Sequence, residues 1–278
     1  MTSTLDLFRA MVRLEQQQFW RNRQAAIFSF GLPLIFVLVF PNLITGDTSS
    51  GIPFKNYFVA GMVGVAIVSA TYTTLAIALT FQRDLLNLKR LRATPLSPAI
   101  IFAGKIASAM IVVTAQIVIM MAIGRFAYDI PLPRNWAAFV AFVLLGSASF
   151  SAIGIGVSGL IPNSDSAPPI VQLPYITLQF VSGVFFPLDS SPGWLRVIAS
   201  VFPLRWLVDG LRAGYLGLDF VHGFTAVASN GDRHYFPDRV SGLDAFTSQW
   251  AGILVLVLWL IVGVLVALRW FKWEKRSR

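Results

Sequence analysis

Six apolar runs dictate what this chain can fold into. Residues 25–44, 57–81, 101–123, 136–161, 169–186 and 250–268 each approach the ~20 apolar residues that a helix needs to cross hydrocarbon. None of the six contains Asp or Glu. Backbone inside a bilayer must satisfy its own N–H and C=O groups, and a single run of this length does so as a helix. The expected class is an all-α integral membrane protein with six transmembrane helices. Composition agrees, since 56% of the 278 residues are hydrophobic and 13% are charged. That charged share is about half of what a soluble domain carries.

Charge sets the expected topology. Arg9, Arg13, Arg21 and Arg23 precede the first run; Arg83, Lys89, Arg90 and Arg92 lie between the second and third; Arg269, Lys272, Lys275, Arg276 and Arg278 follow the sixth. The short loops on the other side hold only Lys55, Arg125 and Arg134. Positive loops stay in the cytosol, so both termini are expected there and the long connection 187–249 faces outward. The net charge of +9 is thereby read as topology and contact with anionic lipid, with no nucleic-acid partner. No A-x-A-like cleavage site follows the first run, which reads as a retained span rather than a signal peptide. Residues 1–24 are too charged to span. Leu5, Phe8, Met11, Val12, Phe19 and Trp20 recur near helical spacing, with Asp6, Arg9, Arg13 and Glu15 between them, which predicts an amphipathic helix in the cytosolic interface. The last segment, 269–278, reads as a basic cytosolic tail.

Several chemistries are missing from the residues. There is no Cys, hence no disulfide, no thiolate chemistry and no zinc site built on Cys. Gly104-Lys105 looks like the end of a phosphate loop, but Ala99 stands where the first Gly belongs and Ile106 where Ser or Thr would meet magnesium. The chain is therefore expected to be no enzyme by itself, with no catalytic residues, and to need energy from another polypeptide. Spans without carboxylates speak against ion coupling. Gln116, Gln172 and Gln179 are the candidates for a polar substrate path, although such side chains more often join helices. Gly154 and Gly156, near Ser151 and Ser158, predict close helix packing in the fourth span. His222, His234, Asp232 and Asp238 match no strong metal-ligand spacing and read as a solvated loop, so no metal is expected.

Two connecting segments carry more shape than a loop requires. In 82–98, Leu85, Leu88 and Leu91 are read on one side of a short helix and Lys89, Arg90 and Arg92 on the others. Pro95 and Pro98 stop that helix and set the angle into the third span. The Leu face is expected to rest on the bundle or enter a partner's cleft. In 187–249, the stretch 187–217 clusters Trp194, Leu195, Ile198, Phe202, Trp206, Leu207 and Leu211 in runs too short to span. It reads as a re-entrant or interfacial helical hairpin. Arg205, Asp209 and Arg212 fall at i, i+4 and i, i+3 ion-pair spacing.

These residues carry a resemblance. Arg83-Asp84, then Leu88-Lys89-Arg90-Leu91-Arg92-Ala93-Thr94-Pro95-Leu96-Ser97-Pro98, resembles the coupling segment of ABC type-2 transporter permeases, in which an Arg-Glu pair precedes a Gly-Thr-Leu run and a Thr-Pro-Leu-Ser-Pro end. The stretch 180–195, followed by Phe202-Pro203-Leu204-Arg205-Trp206-Leu207-Val208-Asp209-Gly210-Leu211-Arg212, looks like that family's fifth span and the short outer helices behind it. Asp84 departs from the family's Glu, and Leu86 and Asn87 stand where Gly and Thr are common. Residues 222–244 match no family motif.

The resemblance implies a half-transporter of a prokaryotic cytoplasmic (inner) membrane. Two such permeases, identical or related, pair above two cytosolic ABC ATPase subunits, which hold the ATP and magnesium; this chain carries no cofactor. Residues 1–24 become an elbow helix. Arg83, Asp84, Leu85, Leu88, Lys89, Arg90, Leu91, Arg92, Thr94 and Pro95 become the ATPase-coupling segment. Phe185, Phe186, Trp194, Phe202, Trp206, Asp209 and Arg212 are read as an outer gate that releases cargo laterally to lipid. The implied activity is ATP-driven export of an amphipathic drug, lipid or lipid-linked substrate. The alternatives are an ion-coupled secondary transporter or a non-transporting membrane scaffold.

Overall fold

The computed structural model describes residues 3–48, 51–94, 96–188, 191–227, 233–271 and 273. Among them run twelve α-helices and one β-hairpin. Helix α1 (Thr4–Arg21) begins at a capping box, in which the Ser3 hydroxyl accepts from the Asp6 amide and the Asp6 carboxylate accepts from the Ser3 amide. It breaks at Asn22, and α2 (Arg23–Leu43) follows with Pro33 and Pro41 inside it. Next come α3 (Phe54–Val68), a π turn (Ser69–Thr73) and α4 (Thr74–Asp84), which together make one helix from Phe54 to Asp84.

The short α5 (Asn87–Arg92) leads to α6 (Pro98–Tyr128), whose N-terminus has Ser97 as cap and Pro98 in the first turn. Asn135 caps α7 (Trp136–Leu160) by accepting from the Ala138 amide. Then follow α8 (Ala167–Val181), α9 (Gly193–Val201) and α10 (Pro203–Leu216). Strands β1 (Leu218–Val227) and β2 (Arg233–Arg239) come next, then α11 (Asp244–Thr247) and α12 (Trp250–Trp270).

The central element is α3. Every residue from Tyr57 to Val68 is buried, with α2, α6, α7 and α10 packed around it. Helix α12 lies along α7 on a seam of small residues. A Cβ on Gly263 would sit 2.6 Å from the Ile153 amide nitrogen, and one on Gly156 would sit 2.9 Å from the Gly263 carbonyl. Ser149 crosses this seam to donate to the Leu256 carbonyl at 2.9 Å. Close backbone approach of this kind is how membrane helices gain packing where lipid offers no hydrophobic driving force. The outward faces of α2, α6 and α12 are lined by exposed leucine, isoleucine and valine, as lipid contact demands.

Among the described residues four helices are long and apolar enough to cross a membrane: Phe54–Asp84, Pro98–Tyr128, Trp136–Leu160 and Trp250–Trp270. They cover the second, third, fourth and sixth expected runs, and the second and third extend beyond the expected ends. The other two runs are not among these four. The first lies in α2, which has 21 residues and of which the side chains of Gln24, Ala25 and Phe28 lie outside the described residues; the fifth lies in the 15-residue α8. Fifteen residues rise only about 22 Å, short of a ~30 Å core. The all-helical expectation also needs correcting. Leu218 pairs with Arg239 and Val227 with Arg233 in an antiparallel hairpin, with an irregularity between Asp219 and Gly223. The signal was local: Phe220, Val221, Phe224, Thr225, Val227, Tyr235 and Phe236 are β-favouring residues in a segment that belongs to no span.

Candidate functional site

The helix from Phe54 ends in a pair of charges that turn inward. Arg83 is only 4% exposed. Its Nη1 donates to the Ser158 carbonyl at 3.0 Å and its Nη2 to the Ile161 carbonyl at 2.7 Å. Both carbonyls belong to the end of α7, where a helix has acceptors without intrahelical donors and its dipole favours a cation. Asp84 accepts from the Ser164 amide at 2.7 Å, in the connection between α7 and α8, and lies 3.6 Å from Arg83 Nε. Arg83 and Asp84 thus brace the coupling segment against the α7–α8 junction and present little of themselves to a partner.

The next two residues turn outward. Leu86 has φ 59°, a left-handed conformation that costs a side chain roughly 1–2 kcal/mol. It is the position where the resembling family commonly has Gly. The turn leaves Leu85 64% and Leu86 45% exposed. It also rotates α5, so the three leucines expected on one side separate. Leu88 is fully buried in a small core with Leu79 and Ile155, flanked by the half-buried Leu91, Phe102, Ile106, Phe271 and Trp273. Leu85 lies on the opposite, exposed side.

Lys89, Arg90, Arg92 and Thr94 are exposed, and the Arg92 guanidinium lies 5.7 Å from the centre of the Trp273 ring. Pro95 lies outside the described residues, as does most of the basic tail. The platform is therefore seated by Leu88, braced by Arg83 and Asp84, and topped by two bare leucines among cations. Leu86→Gly is expected to relieve the left-handed strain. After subtraction of glycine's extra chain entropy it should raise unfolding stability by about 0.5–1 kcal/mol, read as a higher Tm in detergent.

A second polar cluster lies beside the platform. Lys105, on α6, is 1% exposed and donates to Glu15 of α1 and to Gln82 of α4, each at 2.5 Å. Gln82 in turn donates to Gln18 at 2.9 Å, and Gln16 reaches the Ser108 carbonyl at 2.8 Å. The neighbouring Gly104 lets Met11 close on α6; a Cβ there would fall 2.5 Å from Met11 Cγ. The Gly104-Lys105 pair thus serves helix packing and a buried ion pair. By sequence alone Glu15 reads on the polar side of α1, and the pair with Lys105 places it inward. The available signal was a carboxylate one turn after Met11 on the buried stripe.

The outer residues gather around Arg212, which is also 1% exposed. Its guanidinium donates to the Gly183 and Val184 carbonyls at 3.0 and 3.1 Å, just past the end of α8. Its carbon lies 3.5 Å from the Tyr57 ring centre, a cation–π contact, and the Tyr57 hydroxyl donates to the same Gly183 carbonyl. Gly61 makes room, since a Cβ there would meet Arg212 Nη2 at 2.7 Å. Asp209 lies 3.6 Å from both Arg205 and Arg212. Burial pushes the Tyr215 phenol up to about 12, and its ring meets Phe139 edge-on.

Of the other outer residues, Phe185 is buried among Phe36, Phe40, Phe58 and Phe180. Trp206 is buried and donates to the Ser200 carbonyl, and Phe202 stacks on Trp259. Phe186 and Trp194 face outward and stand apart from this node. Gln116 joins α6 to α2 through the Ser29 carbonyl at 2.8 Å. Gln179 is buried and shares a hydrogen bond with Tyr175, and Gln172 is half-buried. Asp219 is held by the Gln249 amide and lies 2.8 Å from the His222 ring. Asp232 lies outside the described residues, and the side chain of His234 is not described.

Comparison with known proteins matches residues 6–216 to a family model described as ABC-2 type transporter. The probable multidrug ABC transporter permease YbhR of Escherichia coli K12 is 26% identical over 163 residues, 59% of this chain and 44% of that protein. The chain thus matches less than half of that relative's length. The inner membrane transport permease YadH of the same strain is 23% identical over 67% of this chain and 73% of its own length. The putative transport permease ycf38 of Porphyra purpurea is 24% identical over 76% of this chain and 74% of its own.

Proposed function

This chain belongs to the ABC-2 type transporter family, as a multi-pass membrane transport permease, and we propose that it forms one half of an ATP-driven exporter. On this reading the bundle makes six passes through a prokaryotic inner membrane, with α8 completed by its flanking residues, and both termini face the cytosol. Two cytosolic ATPase subunits bind below, and a second permease pairs beside it. The cargo is an amphipathic drug, lipid or lipid-linked molecule. The apolar bundle suits such a cargo better than a sugar, and one relative's name speaks of multidrug transport.

One observation carries the coupling role. Leu85 and Leu86 are bare at the cationic end of the bundle, on a segment whose other side is locked by Leu88. Two adjacent bare leucines make an apolar spot suited to a protein contact, and Lys89, Arg90 and Arg92 around them suit a cleft rimmed by carboxylates. Movement of the ATPase pair would push this seated segment. Arg83 and Asp84 would pass the push to the α7–α8 junction.

The test is replacement of Leu85 and Leu86 together by Asp. Membrane insertion and Tm should stay close to those of the parent, while cargo-stimulated ATPase activity of the assembled complex falls at least tenfold. Leu88→Asp is the contrasting variant and should lower Tm first, because it places a charge in a closed core. Unchanged stimulation in the Leu85/Leu86 double variant would remove the docking role. Solute accumulation by the isolated chain in sealed vesicles would remove the ATP-driven reading altogether.

A further inference from the structure

A cavity of about 280 Å³ opens where three irregular stretches of backbone meet. Regular helices close-pack and leave few voids larger than a water; here the elements do not close. The π turn puts Tyr72 on one wall, and turns of this type recur at functional sites. Pro174 lies inside α8 and interrupts its hydrogen-bond ladder on a second wall. The junction of α9 and α10 at Phe202 supplies a third. It is pinned at the midpoint of α12, where the Trp259 indole donates to the Val201 carbonyl at 2.9 Å. Phe150 and Val157 of α7 line the depth.

The chemistry selects the occupant. The space is roomy enough for several waters, but each needs two to four polar partners. The lining is aliphatic and aromatic, and the Tyr175 hydroxyl at its edge already shares hydrogen bonds with Ser69 and Gln179. Among the described residues no charged side chain lines it. At the mouth, Pro174 and Ile170 are exposed, and Leu173 and Ile176 on the same helix are also bare, so the opening belongs to the apolar surface of the spans. On the six-span reading the medium there is hydrocarbon.

We infer that this cavity is a lateral lipid site that takes one acyl chain of a bilayer phospholipid between α7, α8 and α12. The chain lies against the π turn and the α9–α10 junction, so its presence holds these irregular elements apart. This site is separate from the coupling platform and does not depend on the ATPase reading.

The experiment uses the purified permease alone in vesicles of phosphatidylethanolamine and phosphatidylglycerol. A trace of phosphatidylcholine carries a photoactivatable diazirine on one acyl chain. Adducts are mapped by mass spectrometry after irradiation. Leu254 and Leu258, both 58% exposed, report the surrounding lipid. Tyr72 and Phe150, 7% and 2% exposed, report a chain that has entered. Adducts are expected at both sets. Val157→Phe should lower those on Tyr72 and Phe150 at least fivefold and leave Leu254 and Leu258 unchanged, which also shows that the variant is folded. Leu178→Trp fills the cavity from the facing wall and should do the same. Adducts confined to the outer leucines in the parent chain would overturn the site. So would inner adducts that persist in both filled variants. No cargo or ATPase is present, so failure here leaves the coupling proposal untouched, and failure of coupling leaves this site untouched.

Discussion

Arg83→Ala is expected to cost about 3–5 kcal/mol of stability and to uncouple ATP hydrolysis from transport, because one side chain serves both ends of a junction. The change removes two donors from the carbonyls of Ser158 and Ile161 and strands the Asp84 carboxylate, 9% exposed, without its cation. A buried acceptor left without a donor costs about 1–3 kcal/mol, and a buried charge without a partner costs more. Arg83→Lys should recover only part, since an ammonium is a point charge and cannot span two carbonyls as a guanidinium does. Asp84→Glu should be mild, as that acid stands here in the resembling family. The measurements are Tm in detergent and transported cargo per ATP in the reconstituted complex. Arg83→Lys should regain Tm before it regains the transport ratio. If Tm and transport ratio recover together, Arg83 is a structural brace only.

Lys105→Met is expected to be nearly as damaging, again by about 3–5 kcal/mol, because it leaves Glu15 charged and nearly buried against α6. Glu15→Gln should be damaging for the opposite reason, as it leaves a buried ammonium with only amide oxygens. Removing both charges together, as Lys105→Met with Glu15→Leu, should return most of the loss, since two well-packed apolar groups replace a pair whose desolvation offsets its attraction. A double-mutant cycle on Tm measures the coupling. Additive losses would sink the pairing. The cluster has a mechanical consequence as well. One ammonium ties α1, the end of the helix that leads into α5, and α6, so release of α1 in the Lys105→Met variant should appear as faster proteolysis near Asn22.

Much of this arrangement was legible in advance, in unequal measure. Among the described residues four of the six apolar runs are helices able to cross a membrane, because length and hydropathy are properties of a single segment. The break between α9 and α10 was legible from Phe202-Pro203, because proline favours the first turn of a helix. The β-hairpin lies beyond what apolar spans predict, since the segment after the last outer helix is rich in Val, Thr and aromatics and belongs to no span. The fifth run reads as a span from its apolar length; α8 stops at Val181 and the chain turns at Gly183, whose φ is 71°. That turn is held by Arg212, 29 residues further on.

The direction of a side chain is where local reading stops. Arg83 and Arg90 look alike in the sequence; one is buried under α7 and the other is exposed. Leu85 and Leu88 differ in the same way, because the left-handed Leu86 between them resets the helix phase. The two buried arginines also share a trick that no motif announces. Arg83 holds the carbonyls at the end of α7 and Arg212 those just past the end of α8, each from a distant element.

The amino-acid order alone determined that the chain enters a membrane, roughly where its long helices run and which loops carry the positive charge. These follow from the cost of placing backbone and charge in hydrocarbon, a cost paid segment by segment. Packing decided which faces meet, that Lys105 finds Glu15 and that Arg83 turns inward. Helices that are apolar on all sides carry no stripe to say which face is interior, so only the fit of one helix against another could choose.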